Sequence, residues 1–339
     1  MLWSNYVRAS TVRNSTFEWL GGNGVLAMGT DKMGDATDGN HPFNNTIDTC
    51  CFREIGVFAK HSGAYAEFVA GRVTLSNNIA YNGPRAAIAL NDGMGGGSDI
   101  HHNLLFNMVR ESGDHGPINS WDRQSFLTAH GSAPSCNYST TEIHRNFIMA
   151  GNDGAWFPID HDDGSAEYFD HHNFLLFGGH KNYLGHSKRF AHNVQVWPDF
   201  GRSSPTRVSC VDFDTGHDEF YHDNTCILRG HPAHYWCDGN SNCSVVSLRN
   251  VCPGDLTNIS NPQLHALQAA NNTYYVPHGG QGGSAVWWDG GDGRCTSANA
   301  AQSIRLVQRN AGETGSEVKD VGTLSLQAIV AMGEAVLSD

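Results

Sequence analysis

The sequence predicts an all-β fold, a solenoid of short parallel strands with a helix near the C-terminal end. Two observations predict it. Glycine (39) and asparagine (29) supply 68 of the 339 residues, which suits many tight turns and rules against a helical bundle or a coiled coil. A short unit also recurs: an apolar residue, two or three polar residues, Asn, then an apolar run. Each copy is too short to bury its apolar face alone, so copies must stack.

Taken in order, the unit reads Val12-Arg-Asn-Ser15-Thr16-Phe17 and Ile47-Asp-Thr-Cys50-Cys51-Phe52, both without Asn at the repeat's Asn position. It continues as Leu75-Ser-Asn-Asn78-Ile79, Ile100-His-His-Asn103-Leu104 and Ile143-His-Arg-Asn146-Phe147. Then come Phe169-Asp-His-His-Asn173-Phe174, Phe190-Ala-His-Asn193-Val194 and Phe220-Tyr-His-Asp-Asn224-Thr225. The Asn positions step by 25, 43, 27, 20 and 31 residues. The long step marks a loop insertion from Glu111 to Thr141. Asn suits a bend because it tolerates the left-handed conformation, and stacked Asn side chains can hydrogen-bond along a ladder. Ile47, Leu75, Ile100, Ile143 and Phe190 are the expected core. Residues 1–236 are read as coils, 237–300 as Cys- and Gly-rich last coils, and 301–339 as a capping segment. Its helix is expected over about 324–337, with Thr323 as N-cap and an apolar face of Leu326, Ile329, Val330, Val336 and Leu337. That helix is expected to cover the open end of the solenoid and block edge pairing.

Formal net charge is −13, from 34 acids and 21 bases. This argues against nucleic acid and against an anionic membrane surface as partners. No apolar run reaches the roughly 18 residues of a membrane span. The first residues show no basic and apolar signal regions. The expectation is a secreted chain with its signal sequence missing from these residues, or a piece of something longer. Of nine cysteines, Cys210, Cys226, Cys237, Cys243, Cys252 and Cys295 cluster late without CxxC spacing. Most of these six are therefore expected in disulfides of an extracellular protein. Six N-x-S/T sequons accompany them.

The coil pattern over residues 10–235 resembles the right-handed parallel β-helix proteins of the pectate-lyase-like class. The resemblance implies that fold. It also implies a carbohydrate partner, because the class contains polysaccharide lyases, glycoside hydrolases and epimerases beside tailspikes and adhesins.

Three coils share a second pattern: Ile88-Ala-Leu-Asn-Asp92, Ile118-Asn-Ser-Trp-Asp122 and Ile159-Asp-His-Asp-Asp163. If the Ile residues stack, Asp92, Asp122 and Asp163 form a column with a spacing of about 4.8 Å. Crowded carboxyls separate their pKa values or hold a cation, so these three are the catalytic candidates. Arg85, Asp114, His115, Trp121, Arg123, Asp160, Asp162, Lys181 and His186 are the substrate-binding candidates, with Trp156 and Tyr183 as further sugar platforms. The favoured function is a glycoside hydrolase acting on a polysaccharide by inversion, with no required cofactor. One alternative is a polysaccharide lyase or epimerase on uronic acids, with Ca²⁺ held by the Asp column. The other is a non-enzymatic structural or adhesive glycoprotein. Metal ligands are left unassigned: there is no HExxH, and His101-His102 and His171-His172 are expected to point to opposite faces of their strands.

Overall fold

A computed structural model describes residues 1–4, 6–29, 41–91, 96–113, 115–121, 139–152, 155, 157–162, 164–182, 185–198, 209–213, 218–229, 233–236, 267–276, 286–288 and 315–338. Among these residues, 29 short strands form three parallel sheets of 10, 9 and 10 strands. The chain visits the sheets in rotation. Leu2–Ser4 opens sheet 1, Thr11–Arg13 opens sheet 2, Thr16–Glu18 opens sheet 3, and Val25–Met28 returns to sheet 1. Three parallel sheets traversed this way are consistent with a parallel β-helix. Later strands at Leu267–Ala270 and Thr273–Val276 join sheets 2 and 3, and Glu317–Asp320 completes sheet 3.

The repeat sets the register. Val12, Ile47, Leu75, Ile100 and Ile143 pair in succession in sheet 2. The expected core residues Ile47, Leu75, Ile100, Ile143 and Phe190 are all at most 2% exposed. The two units that lack Asn belong to the same columns as the rest.

The bend between sheets 2 and 3 differs from expectation in one respect. The left-handed residue is the one before the ladder Asn: Asn77, His102, Arg145, His172, His192, Asp223 and Asn271 all have φ between 50° and 56°. That rotation turns the next residue inward, so the Asn amide is buried. Asn103 shows the pattern. Its Oδ1 accepts from the backbone N–H and the Nδ2 of Asn78, each at 3.0 Å, and its Nδ2 donates to Leu75 O at 2.8 Å. The ladder runs on through Asn146, Asn173, Asn193, Asn224 and Asn272. These bonds satisfy amides that would otherwise be buried without partners, and they offset the steric cost of a non-glycine left-handed residue at every turn. Asn272 is a rung that the sequence pattern did not reveal.

The C-terminal helix, α1, spans Leu326–Leu337. Ser325 is the N-cap, accepting from the Ala328 N–H, whereas Thr323 ends a 3-10 turn and donates to Asp320 O. The helix lies on the outer face of sheet 3, not over an end of the coils. Ile329 is buried with Phe174, Val194, Val196 and Ile227, while Met332, Val336 and Leu337 are partly covered. Leu326 (62%) and Val330 (49%) face solvent, so the apolar face is rotated from the expected one. Gly333 sets the close approach, since a Cβ there would sit 3.0 Å from the Phe174 ring.

Cys210 and Cys226 form a disulfide, and Cys50 and Cys51 are free. The remaining cysteines lie outside the described residues. No described helix is long and apolar enough to cross a membrane.

Candidate functional site on the outer face of sheet 1

Ile88, Ile118 and Ile159 pair in register, as the shared pattern predicts. Their side chains fill the core. Alternation therefore turns the next residue of each strand to the opposite face. Ala89, Asn119, Asp160 and Lys181 form that outer column. Its upstream end is apolar, with Ala66, Ala86 and Ala89 packed together.

Asp160 is fully buried. Its Oδ2 accepts from Asn119 Nδ2 at 3.0 Å and lies 3.9 Å from His115 Nδ1. Lys181 Nζ sits 3.2 Å from Asp160 Oδ1 and 3.0 Å from Asp162 Oδ1, bridging the two carboxylates. Asp162 is the more open, its side chain 26% exposed against 0% for Asp160. Arg85 is partly buried beside them. Burial pushes its guanidinium pKa down, while Asp160 and Asp162 pull it up. Gly116 allows the close approach of the chain next to His115, because a Cβ there would meet Phe157 O at 2.2 Å.

Five expected residues thus come together: Arg85, His115, Asp160, Asp162 and Lys181. Trp121 ends the same strand as Asn119, two residues on, so it faces the same side. His186 does not join them. It is buried with Nδ1 3.9 Å from Glu167 Oε1, on the side of sheet 2. Asp92, Asp114, Asp122, Arg123 and Asp163 lie outside the described residues, as do Trp156 and Tyr183.

Inside the coils is a polar network that the sequence pattern missed. Ser120 Oγ lies 2.6 Å from His161 Nδ1, and His161 Nε2 lies 2.9 Å from Asp170 Oδ2. Ser120 also reaches Ser165 Oγ at 2.7 Å, and His180 Nε2 lies 3.6 Å from Asp170 Oδ2. The residue types match a nucleophilic triad, but all are fully buried, so no polymer can reach the hydroxyl. The network packs the core. Burial drives the His180 imidazole down to about 4. Nearby, Lys188 Nζ lies 3.1 Å from Glu219 Oε1, with neither side chain exposed; burial raises Glu219 to about 7 against the pull of Lys188. A visible signal was present: Asp170 stands where neighbouring coils have Ile143 and Phe190.

The outer side of sheet 2 carries a groove of about 420 Å³. Its floor is the column Glu142, Phe169, Arg189 and Phe220, with the Arg189 guanidinium near both rings. Glu167 lines it, its carboxyl raised by burial. Beside this groove runs a histidine stack: His101, His144 and His171, with ring centroids 5.1 and 4.8 Å apart. Here an expectation fails. His101 and His102 converge, Nδ1 to Nδ1 at 2.8 Å, and His171 and His172 do so at 2.9 Å. The second residue of each pair has a left-handed φ, which breaks the strand alternation.

Comparison of the chain with known protein families, characterised proteins and solved structures finds no match. The resemblance to the pectate-lyase-like class therefore rests on the coil pattern alone.

Proposed function

We propose that the chain is a right-handed parallel β-helix that acts outside the cell as a glycoside hydrolase, with its glycan lying along the outer face of sheet 1. Right-handed winding follows from the strong bias of parallel crossovers. The observation that carries the functional reading is the pair Asp160 and Asp162 bridged by Lys181, with Arg85 and His115 beside them. A fully buried carboxylate on the outer face of a sheet is costly unless paired. Here it orients a lysine toward a second, more open carboxylate. Such a set of fixed charges suits sugar hydroxyls and the acid–base chemistry of glycosidic cleavage. Asp92 and Asp122 directly follow strands of this face in sequence, Asp163 follows its strand by two residues, and the acid and base are proposed to come from these three. Inversion needs two such carboxyls about 6.5–9.5 Å apart, one protonated and one activating water. The Cys210–Cys226 disulfide supports an oxidising compartment.

A lyase reading is favoured by one feature, the Arg85 guanidinium in electrostatic reach of the Asp160 and Asp162 that hold Lys181, since two cations would neutralise a uronate carboxylate. A glycan-panel digestion read by product mass separates the two. A hydrolase adds water to its products, while a lyase leaves an unsaturated end that absorbs in the ultraviolet. Asp122→Asn and Asp163→Asn should each cost at least about 10²-fold in rate under the hydrolase reading. Full activity in both variants would remove the column from catalysis. Loss of activity on EDTA addition would favour the Ca²⁺-assisted lyase.

A further inference from the structure

We propose that His192, His222 and Asp223 bind a divalent transition-metal ion at the bend between sheets 2 and 3. This site is distinct from Asp160 and its neighbours and does not rest on the glycan reading.

Among the described residues, these three form the one group of three or more His, Cys, Asp or Glu whose ligand atoms all lie within 4.8 Å of one another. The winding of the chain brings them together. His192 (φ 56°) and Asp223 (φ 55°) hold the same left-handed bend position in successive coils. The coils are locked there by the Asn193–Asn224 rung and by the His192 N–H donating to His222 O at 3.3 Å. His222 immediately precedes the bend, and its Nδ1 lies 2.7 Å from Asp223 Oδ2. The bend therefore delivers two ligand atoms from one coil and a third from the coil before it. The pairs His101–His102 and His171–His172 show the same bend bringing two ring nitrogens together, but neither belongs to such a group of three among the described residues.

Two imidazoles and a carboxylate select Zn²⁺ and its neighbours over Ca²⁺ and Mg²⁺, which take oxygen ligands. A tetrahedral Zn²⁺ with bonds of about 2.0–2.1 Å sets its ligand atoms about 3.3 Å apart. The widest separation must therefore close by at most roughly 1.5 Å, which rotation of the exposed His192 ring can supply. Stacking of the His172 ring on His192, centroids 5.0 Å apart, limits how that imidazole tilts. Three protein ligands leave a position open to solvent.

The test is calorimetric titration of the full chain, stripped with EDTA and desalted, with ZnCl₂ and separately with CaCl₂. Zn²⁺ should bind and Ca²⁺ should not compete with it. His192→Asn and Asp223→Asn should each weaken Zn²⁺ binding at least about tenfold. Both should keep the bend, because Asn77 and Asn271 hold the same conformation in other coils. His222→Gln, a substitution on the strand rather than the bend, provides the same readout if a bend variant fails to fold. His102→Asn should leave the affinity unchanged. The proposal is overturned if the wild type takes up no Zn²⁺, if all three site variants bind as the wild type does, or if only His102→Asn loses binding.

Discussion

At the scale of the residue, buried polar groups decide more than the apolar ones. Asn146 Oδ1 accepts from both the N–H and the Nδ2 of Asn103, and its Nδ2 donates to Ile100 O. Asn146→Ala leaves these groups without their partner inside the coils. Asn103 Nδ2 keeps Leu75 O, so at about 1–3 kcal/mol each for the Asn103 N–H and the Ile100 carbonyl the variant should lose about 2–6 kcal/mol, read from urea unfolding. Glu67 gives a pH signature. It is buried beneath sheet 1, accepts from Tyr65 Oη at 2.6 Å, and has its pKa raised by burial from 4.5 to about 7. A raised folded-state value means that its contribution is fully present below pH 4.5 and is lost as pH rises through 7. Glu67→Gln keeps an acceptor for Tyr65 and removes that loss. It should match the wild type near pH 4 and exceed it by up to about 3 kcal/mol at pH 8. His180 works in the opposite sense. Its folded value of about 4 lies below the ordinary 6.5, so its contribution is present above 6.5 and is lost as pH falls toward 4.

At the scale of the element, α1 depends on one missing side chain. Gly333 lies against the Phe174 ring, and no Cβ fits there without movement. Gly333→Leu should lift the helix from sheet 3 and expose Phe174. Limited proteolysis would then cut within Leu326–Leu337 in the variant well before the wild type, and equal cutting rates would refute this account of docking. The strands and their register were legible from the sequence because burial imposes a two-residue period, and Ile47, Leu75, Ile100 and Ile143 obey it. The register of Ile88, Ile118 and Ile159 was legible for the same reason. The histidine pairs were not, because alternation fails wherever a residue other than glycine takes a left-handed φ, and residue type alone does not mark His102 or His172 as such. The seat of the helix was also hidden. Its own face fits a sheet flank as well as an open end, and the choice was made by Phe174 and Val194, outward residues of another element.

At the scale of the whole molecule, the interior holds buried polar groups beside its apolar cluster. The apolar cluster runs from Trp3 to Leu175, and the same coils also enclose Glu67, Ser120, His161 and Asp170, with His180 and Gln195 just beyond. The proposed glycan face and the proposed metal site lie around the later coils, where fixed charges have buried partners. The rung from Asn173 to Asn193 has a further consequence. Only 20 residues separate these two asparagines, yet the intervening coil closes with all three strands and both neighbouring rungs intact. Twenty residues are therefore a complete circumference for this chain, and the segment from 174 to 193 is a self-contained unit of length. A duplicate inserted directly after Asn193 would present a bend, a rung and three strand edges that match those on either side. Such a variant should lengthen the particle by about one strand spacing, roughly 4.8 Å, without widening it. Small-angle scattering would show that as a longer maximum dimension with an unchanged cross-section, and a widened cross-section would mean that the duplicate had looped out.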